Sequence, residues 1–501
     1  MIKYMNNIQK LKLNSMTSLI KQLVTVISSL ILPRYILNYF GSDVNGLISS
    51  ITQFLSIIGF LELGVGAVVR SALFKPLAEK DEKHISVIFN TANKFFTYLA
   101  YTLLIYVVIL ILIFPSFINS PFDFLGTAFL IFSISISTFS QYYLGIVNQI
   151  LLSADQKNYI SVSFQIITVI LNTIVSIILI TQGLSIQIIR FTTSVIYLLR
   201  PVSLYFYVKK NYNIDYKVTP DKQSIPQMWN GVAQHVAAVV LDGTDIIILT
   251  IFSTLENVSI YAIYNMVVFG VRLTVNSLMS GVQAFFGNIL ASNQIGQLNN
   301  YFSKIEWLIH TLVTYLFGMT AVLINSFVMI YTQGVDNDNY YVPVFSILIV
   351  LAQATYCIRL PYNSIILAAG HFKQTQNSAI IEVLINVSIS VLLVNRFGLA
   401  GIALGTLFAM LYKTFYLVVY LSKNILFRST NVFLKHFLVN VITIVSMLFI
   451  SDRINLNPVN FTDWILTSII YGIIFLILML FINYIFYKDF TRNYLSKLKI
   501  L

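Results

Sequence analysis

The chain has 501 residues, of which 57% are hydrophobic and 10% charged, and its formal net charge at pH 7 is +12. Ordinary soluble domains contain about 25% charged residues, so the composition excludes a soluble protein and indicates an integral membrane protein. The positive charges are dispersed over short connections. This distribution argues against a nucleic-acid partner and fits a charge bias set by membrane topology.

Apolar segments recur along the chain, each long enough to cross about 30 Å of hydrocarbon as a helix. Strands of a barrel would instead alternate apolar and polar residues over about 10 positions. We therefore predict an all-α integral membrane protein with about 14 transmembrane helices. The predicted spans are 15–37, 44–69, 87–114, 123–152, 158–181, 184–208, 228–252, 258–287, 303–331, 341–369, 374–394, 398–422, 432–450 and 462–487.

Lysine and arginine are distributed unevenly between the two sides of this arrangement. The terminal segments and the even-numbered connections, together with the adjoining span ends, contain 21 of these residues, whereas the odd-numbered connections and their adjoining span ends contain only Arg34, Arg396 and Arg453. Cytoplasmic loops are enriched in Lys and Arg. We therefore expect both termini to face the cytoplasm, together with the longest polar connection, 209–227.

Two parts of the chain resemble copies of one unit. Segments 42–90 and 257–304 each contain an apolar helix ending in a glycine-bearing segment, a polar loop and another long apolar helix. Further matches lie at a nearly constant separation along the chain: 148–155 with 363–370, Asn172 with Asn386, and Gly183 with Gly398. Duplicated helix bundles are typical of alternating-access transporters, in which the substrate is held between the halves.

The duplication predicts the domain organisation. We expect two six-helix lobes followed by two further helices. The predicted parts are an N-lobe at 1–208, a cytoplasmic inter-lobe loop at 209–227, a C-lobe at 228–425, and the last two helices with a cytoplasmic tail at 426–501.

Several short motifs resemble those of a known transporter family. They are Gly41, Gly46-Leu47, Glu62-Leu63-Gly64-x-Gly66, Lys75-Pro76-Leu77-Ala78, and the paired segments ILLSADQKNY and IILAAGHFKQ. With these motifs, about residues 12–425 and the two terminal spans resemble bacterial polysaccharide flippases of the MOP superfamily. That group includes O-antigen flippases, Gram-positive sugar translocases and, more distantly, the lipid II flippase and MATE exporters.

The resemblance implies a transporter without enzymatic activity. Such flippases move undecaprenyl-diphosphate-linked oligosaccharide repeat units to the outer leaflet for export of capsule, exopolysaccharide or O-antigen-type glycans. The implied location is the bacterial cytoplasmic membrane. The implied partners are the polyprenyl-diphosphate-linked glycan, membrane lipid, a polysaccharide polymerase and the chain-length machinery, and not nucleic acid.

Charges inside the predicted spans are candidates for function, because each costs at least about 2.5–3.5 kcal/mol without a partner or a wet cavity. The cations Lys21, Arg70, Arg272 and Arg359 are candidates for binding a diphosphate, to which arginine can bind bidentately. The competing interpretation is that each cation pairs with a helix carboxylate and fixes packing. Arg70 departs from the family pattern, and its alternative is an arginine at the cytoplasmic interface.

The carboxylates Glu62, Asp242 and Asp245 are candidates for ion or proton coupling. Asp242 and Asp245 are three residues apart and share one helix face, so they could bind a cation or form a salt bridge with Arg272. Glu62 precedes two glycines that allow close backbone approach, and its alternative is a carboxylate capped by neighbouring hydroxyls. The histidines and the single cysteine have no zinc-site spacing, and the chain has no nucleotide-binding loop, so we expect no metal or cofactor.

Two other classes of protein compete with the flippase interpretation. A MATE-type drug or cation exporter has the same fold and an acidic cavity; Asp242 and Asp245 favour it, whereas the intramembrane cations oppose it. A membrane-embedded polysaccharide polymerase or glycosyltransferase would need a large outer loop. The longest predicted outer connections, 332–340 and 451–461, are short.

The topology has a direct test. Cysteines introduced at Asn211 and Asn337 should react with a membrane-impermeant thiol reagent from opposite sides of the membrane. Reaction of both from the same side would contradict the predicted orientation.

Overall fold

A computed structural model describes residues 7–221, 232–279, 281–291, 295–335 and 339–488 of the chain. Almost all of these residues are helical, and no strand occurs among them. By internal contacts the chain divides into two units, Met1–Ser259 and Ile260–Leu501.

The first unit contains α1 to α8 and the first residues of α9. Its helices are α1 (Asn7–Ser56), α2 (Phe60–Glu79), α3 (Glu82–Phe117), α4 (Phe124–Ser140), α5 (Ile146–Ala154), α6 (Asn158–Thr181), α7 (Ile186–Asn211) and α8 (Val232–Phe252). A 3-10 turn at Ile57–Gly59 precedes α2, and a π-helical turn at Gln141–Gly145 joins α4 to α5.

The second unit continues through the end of the described chain. Its helices are α9 (Leu255–Met279), α10 (Val282–Ala291), α11 (Ile295–Tyr331), α12 (Pro343–Ile358), α13 (Leu360–Ala368), α14 (Phe372–Asn424), α15 (Asn431–Ile454) and α16 (Phe461–Phe486).

Ten helical segments among the described residues are long and apolar enough to cross a membrane. Two of them, Lys12–Gly59 and Lys373–Asn424, contain a glycine with non-helical backbone, Gly41 at φ 81° and Gly398 at φ 53°. These glycines lie at or beside the predicted connections between spans one and two and between spans eleven and twelve. The prediction of an all-α, multi-pass membrane protein is confirmed, while the count of fourteen spans stays a prediction.

Backbone features recur at the spacing of the sequence repeat. Gly183 and Gly398, which are matched in the repeat, both have positive φ and both end a helix. The π-helical turn Gln141–Gly145 likewise matches the junction of α12 and α13 around Arg359. Pro361 has no N–H to donate to the carbonyl four residues earlier, which explains the interruption there. The superposition of two six-helix lobes stays a prediction.

The start of α9 belongs to the first unit because α1 approaches it closely. A Cβ on Gly46 would lie 1.8 Å from the carbonyl oxygen of Leu255, so this contact requires glycine. Beside it, Asn45 Nδ2 donates to Ser259 Oγ at 2.8 Å. By its contacts, α8 therefore groups with α1 and α2, although it follows the inter-lobe loop predicted at 209–227. The predicted domain limits are drawn from the sequence repeat, and they stay a prediction.

The first half of that loop is held on the first unit. Asn90 Nδ2, on α3, donates to the carbonyls of Asp215 at 2.9 Å and Val218 at 3.0 Å. The segment after α7 is therefore an ordered cap on α3 as far as residue 221. Residues 222–231 lie outside the described residues.

Asp155 fastens the turn between α5 and α6 to its surroundings. Its carboxylate accepts from the Tyr212 hydroxyl at 2.6 Å and from Lys157 Nζ at 2.6 Å, and lies 3.6 Å from Lys10 Nζ. Burial of Tyr212, together with the neighbouring negative charge of Asp155, raises the pKa of the phenol. Tyr212 therefore stays protonated and donates to this carboxylate throughout the neutral range.

In the second unit, α15 and α16 pack on α11. Trp307 Nε1 donates to Asn483 Oδ1 at 2.9 Å, and the Tyr315 hydroxyl donates to the carbonyl of Gly472 at 3.1 Å. The buried apolar residues of this contact are Leu323, Met447, Tyr471, Phe475 and Met479. The last two helices are thus an integral part of this unit.

Close packing across the break at Gly398 gives a stability prediction. A Cβ on Gly405 would lie 2.1 Å from Ser390 Oγ and 2.9 Å from the carbonyl oxygen of Asn386. Gly405→Ala should therefore lower the melting temperature of the purified protein, since overpacking costs about 1–3 kcal/mol. Gly270→Ala is the matched control: it adds the same methyl group to a helix with no atom within 4 Å, and should not lower it. Equal melting temperatures for the two variants would contradict the close approach.

Candidate functional site

The polar centre of the second unit is built around the ring of Tyr356. The guanidinium carbon of Arg272, on α9, lies 3.7 Å from the ring centroid, and that of Arg359 lies 4.6 Å from it. Because both guanidinium groups contact the same ring, they are also close to one another. Contact with an aromatic face stabilises a desolvated cation by about 2 kcal/mol. One tyrosine thus brings together two cations that repel each other.

Hydrogen bonds fix both arginines. Arg272, only 7% exposed, donates from Nη1 to Gln353 Oε1 at 3.4 Å. Arg359 donates from Nη1 to Glu382 Oε1 and forms an ion pair with it. Glu382 is 2% exposed, so this pair is shielded from water. Arg359 lies between the end of α12 and the start of α13, where the regular helix is interrupted.

A third cation lies on the second half of α14. Lys413 Nζ donates to Ser378 Oγ at 2.7 Å, and Lys413 is buried. Ser378 precedes Glu382 by four residues, so both lie on one face of α14. We refer to Arg272, Tyr356, Arg359, Ser378, Glu382 and Lys413 as the Tyr356 cluster.

The Tyr356 cluster lies within the membrane-spanning part of its helices. Each of its charged residues is in the central third of its predicted span, on spans eight, ten, eleven and twelve. Intramembrane charges are expensive and typically mark substrate or ion pathways. Binding sites of transporters with repeats are also found near the bilayer midplane, at interrupted helices. The cluster is therefore the strongest candidate site in this unit.

A second buried polar cluster is centred on Glu306, which has no exposed surface. Arg428 donates to it through both terminal nitrogens, from Nη1 to Oε2 at 2.8 Å and from Nη2 to Oε1. The Tyr362 hydroxyl also donates to Oε1, and His436 Nε2 lies 3.9 Å from Oε2. Glu306, Tyr362 and His436 lie in the halves of their predicted spans that are nearer the cytoplasm, and Arg428 lies in the connection between α14 and α15. This cluster fastens α11, α13 and α15 together.

His310 extends the Glu306 cluster by a directed chain of donors. Asn440 Nδ2 can only donate, so the nitrogen that it contacts at 2.8 Å, Nδ1 of His310, is the acceptor. A neutral His310 then carries its proton on Nε2, 3.4 Å from the Tyr362 hydroxyl. The ring of His436 lies 5.0 Å from that of His310. The hydrogen bonds therefore run from Asn440 through His310 and Tyr362 to Glu306, whose carboxylate is the final acceptor.

The first unit has a polar group beside its π-helical turn. Arg200, on α7, donates from Nη2 to Gln149 Oε1 at 2.7 Å and to Ser161 Oγ at 3.2 Å. Gln141, the first residue of the π-helical turn, donates to Gln149 Oε1 at 3.3 Å. π-helical turns are frequent at functional sites, which makes this group a secondary candidate.

The structure describes most of the residues singled out in the sequence. Lys21 is half-buried on α1, Arg70 is exposed on α2, and Asp245 is buried on α8. The side chains of Glu62 and Asp242 lie outside the described residues. The predicted roles of these five residues stay predictions.

Arg272 and Arg359 are the two predicted cations that the structure brings together. For Arg359, the alternative of pairing with a helix carboxylate is observed with Glu382. Sequence reasoning missed Tyr356, the ring between the arginines, and Glu306, the centre of the second cluster. A signal existed for Glu306, because it precedes His310 by four residues and shares its helix face. A similar signal existed for Tyr356, which precedes Arg359 by three residues, but nothing along the chain indicates that Arg272 contacts the same ring.

Solved transporters share the architecture. The chain is similar to the lipid II flippase MurJ in an inward closed conformation, with a TM-score of 0.70 and 15% identity over 95% of this chain and 98% of that one. It is similar to an inward-facing multidrug resistance MATE family transporter, with a TM-score of 0.62 and 11% identity over 80% and 95%. It is also similar to a MOP superfamily transporter from Pyrococcus furiosus, with a TM-score of 0.59 and 13% identity over 85% of this chain and 98% of that one.

No family model matches the sequence, and no curated protein matches it. The chain has the fold of the MOP superfamily of membrane transporters, to which these flippases and MATE proteins belong. The resemblance inferred from its motifs is confirmed at the level of the fold.

The Glu306 cluster gives a prediction about stability. Glu306→Gln leaves the buried guanidinium of Arg428 without its carboxylate, and breaking a buried pair costs about 3–5 kcal/mol. The amount of protein in the membrane, measured by immunoblot, should fall severalfold. Adding Arg428→Met should restore much of it, because the double variant leaves no unpaired charge.

The matched control for this pair is on the surface. Lys75 and Glu79 form an ion pair 3.9 Å long whose side chains are 81% and 57% exposed. Glu79→Gln should leave the protein amount unchanged, because exposed pairs contribute little. An unchanged amount of Glu306→Gln protein would contradict the assigned role of Glu306.

Proposed function

We propose that this protein is a flippase that moves undecaprenyl-diphosphate-linked oligosaccharide repeat units across the bacterial cytoplasmic membrane by alternating access. The observation that carries the proposal is the pair of arginines on Tyr356 in the central part of their predicted spans, of which Arg272 is buried and Arg359 has a side chain that is 11% exposed. The glycan would serve capsule, exopolysaccharide or O-antigen-type export.

The chemistry of the arginines supports an anionic headgroup. A guanidinium presents its donors in a planar fork that matches phosphate oxygens, and charge-assisted hydrogen bonds of this kind are about twice as strong as neutral ones. Two such groups on one aromatic ring can each bind one phosphate of a diphosphate. Burial strengthens the attraction, since the effective dielectric constant falls away from water.

The lipid-linked nature of the substrate rests on resemblance. The sequence motifs resemble polysaccharide flippases, and one solved relative in fold is a lipid II flippase. In such a cycle the diphosphate and sugars would cross in the protein while the polyprenyl chain remains in lipid. We further propose that both termini face the cytoplasm and that a polymerase with its chain-length machinery receives the product.

A second candidate function is export of organic cations, as in MATE proteins. Buried carboxylates favour it, namely Asp245 in the first unit and Glu306 and Glu382 in the second. Binding pockets of different polarity occur in this fold: the solved Pyrococcus furiosus transporter is described as having a binding pocket of reversed polarity. Glu306 and Glu382, however, already neutralise Arg428 and Arg359. Asp245, with Glu62 and Asp242, remains our candidate for ion or proton coupling.

The proposal is tested by transport in liposomes. A synthetic prenyl-diphosphate oligosaccharide is placed in the inner leaflet, and its arrival outside is followed by oxidation with impermeant periodate. Arg272→Ala should slow arrival at least about tenfold, the loss expected for one charge-assisted hydrogen bond. Arg272→Lys should restore part of the rate, because lysine keeps the charge and lacks the fork.

The control for this experiment is Arg396→Ala, which removes an exposed arginine and should transport like the wild type. A wild-type rate for Arg272→Ala would remove Arg272 from the site. Wild-type protein that expels ethidium and leaves the diphosphate lipid unmoved would favour the cation exporter.

A further inference from the structure

Glu382 places a negative charge where the proposed function needs an anion to bind. It occupies Arg359, one of the two arginines on Tyr356. A diphosphate approaching these arginines would meet a buried carboxylate of its own sign. Like charges in a low-dielectric site repel strongly, so Glu382 must either prevent binding or leave Arg359 when the headgroup arrives.

We propose that Glu382 is an exchangeable counter-ion, which neutralises Arg359 in the empty site and moves to Lys413 when an anionic headgroup binds. The inference rests on the proposed function, because it assigns Arg272 and Arg359 to a diphosphate. The inference adds two elements to that function: Glu382 competes with the headgroup for Arg359, and Lys413 receives the displaced carboxylate.

The starting position of Glu382 is defined by its contact with Arg359. Glu382 lies on the first half of α14, and Arg359 reaches it from the break between α12 and α13. The carboxylate is 2% exposed, so water does not replace the arginine as its partner. Leaving the guanidinium therefore requires another cation within reach.

Lys413 is placed to be that cation. Its ammonium donates to Ser378 Oγ at 2.7 Å, and Ser378 is one turn before Glu382 on the same face of α14. A hydroxyl is a weak partner for a buried ammonium compared with a carboxylate. The glutamate side chain has three rotatable bonds and changes rotamer without movement of the helix.

The exchange keeps the carboxylate of Glu382 paired with a cation in both states. In the empty site Glu382 neutralises Arg359, and Lys413 is held by a hydroxyl. In the occupied site the diphosphate neutralises the arginines, and Glu382 neutralises Lys413. An unpaired buried charge is strongly destabilising, so an exchange that always leaves the carboxylate paired keeps the two states close in energy.

This competition has a consequence for transport. Binding of the headgroup is weakened by the ion pair that it must break, and return of Glu382 to Arg359 displaces the headgroup. A site without the carboxylate would bind its anion more tightly and release it more slowly. A neutral lipid gains nothing from the exchange, so Glu382 also selects for charged headgroups.

The test measures binding of farnesyl diphosphate, a soluble probe for the headgroup, to the purified full-length protein in detergent. Glu382→Gln should bind it about tenfold more tightly than the wild type, the equivalent of one charge-assisted hydrogen bond that no longer competes. Lys413→Met should bind it several-fold more weakly, because Glu382 then has no other partner. The double variant should bind like Glu382→Gln, since Lys413 acts only through the carboxylate.

Lys413→Met retains the Arg359–Glu382 pair, so it gives a reading even if Glu382→Gln does not fold. Farnesol should not bind tightly to any variant. Unchanged or weaker binding by Glu382→Gln, or wild-type binding by Lys413→Met, would overturn the exchange, while weaker binding by Arg359→Ala would still support the proposed function. Wild-type binding by both Arg359→Ala and Arg272→Ala would overturn the headgroup site itself.

Discussion

The hydrocarbon core of a membrane offers no water to a polar or charged group, and each such group on a spanning helix must find its partner within the protein. The buried clusters of the second unit follow from this constraint. Glu382 neutralises Arg359, Ser378 accepts from Lys413, and the carboxylate of Glu306 receives both terminal nitrogens of Arg428. These contacts join separate helical segments, so they constrain how the helices are rotated toward one another.

Interrupted helices supply the places where this chemistry occurs. Arg359 stands at the break imposed by Pro361, and Gln141 begins the π-helical turn at the corresponding position of the repeat. A regular helix satisfies its backbone internally and projects side chains at fixed angles. A break changes those angles within a single span, and here Arg359 lies at the break itself, between the end of α12 and the start of α13. The repeat thus preserves the interruption, while the side chains at the two positions differ.

The architecture is shared with solved flippases and exporters, so the substrate depends on the side chains and not on the fold. Arginines on an aromatic ring favour an anion, whereas carboxylates alone in such a place would favour a cation. In the described part of the second unit, the buried carboxylates Glu306 and Glu382 are engaged with arginines. This arrangement is the physical basis for preferring a diphosphate to an organic cation, and it also explains why a competing carboxylate is part of the same site.

The amino-acid sequence determined the features that depend on local composition. Apolar runs indicated the spanning helices, the motifs indicated the transporter superfamily, and Gly41, Gly183 and Gly398 marked positions that end helices, because only glycine adopts their backbone conformations at low cost. Intramembrane charges could also be located from sequence, since they stand out against apolar neighbours.

Only the tertiary structure decided which groups those charges meet. Arg359 contacts Glu382, 23 residues later, and Glu306 contacts Arg428, 122 residues later. Tyr356 precedes Arg359 by three residues, but nothing along the chain indicates that Arg272, 84 residues earlier, contacts the same ring. The physical reason is that hydrophobicity is a property of each segment, whereas a partner depends on the rotation and packing of separate helices, which no single segment encodes.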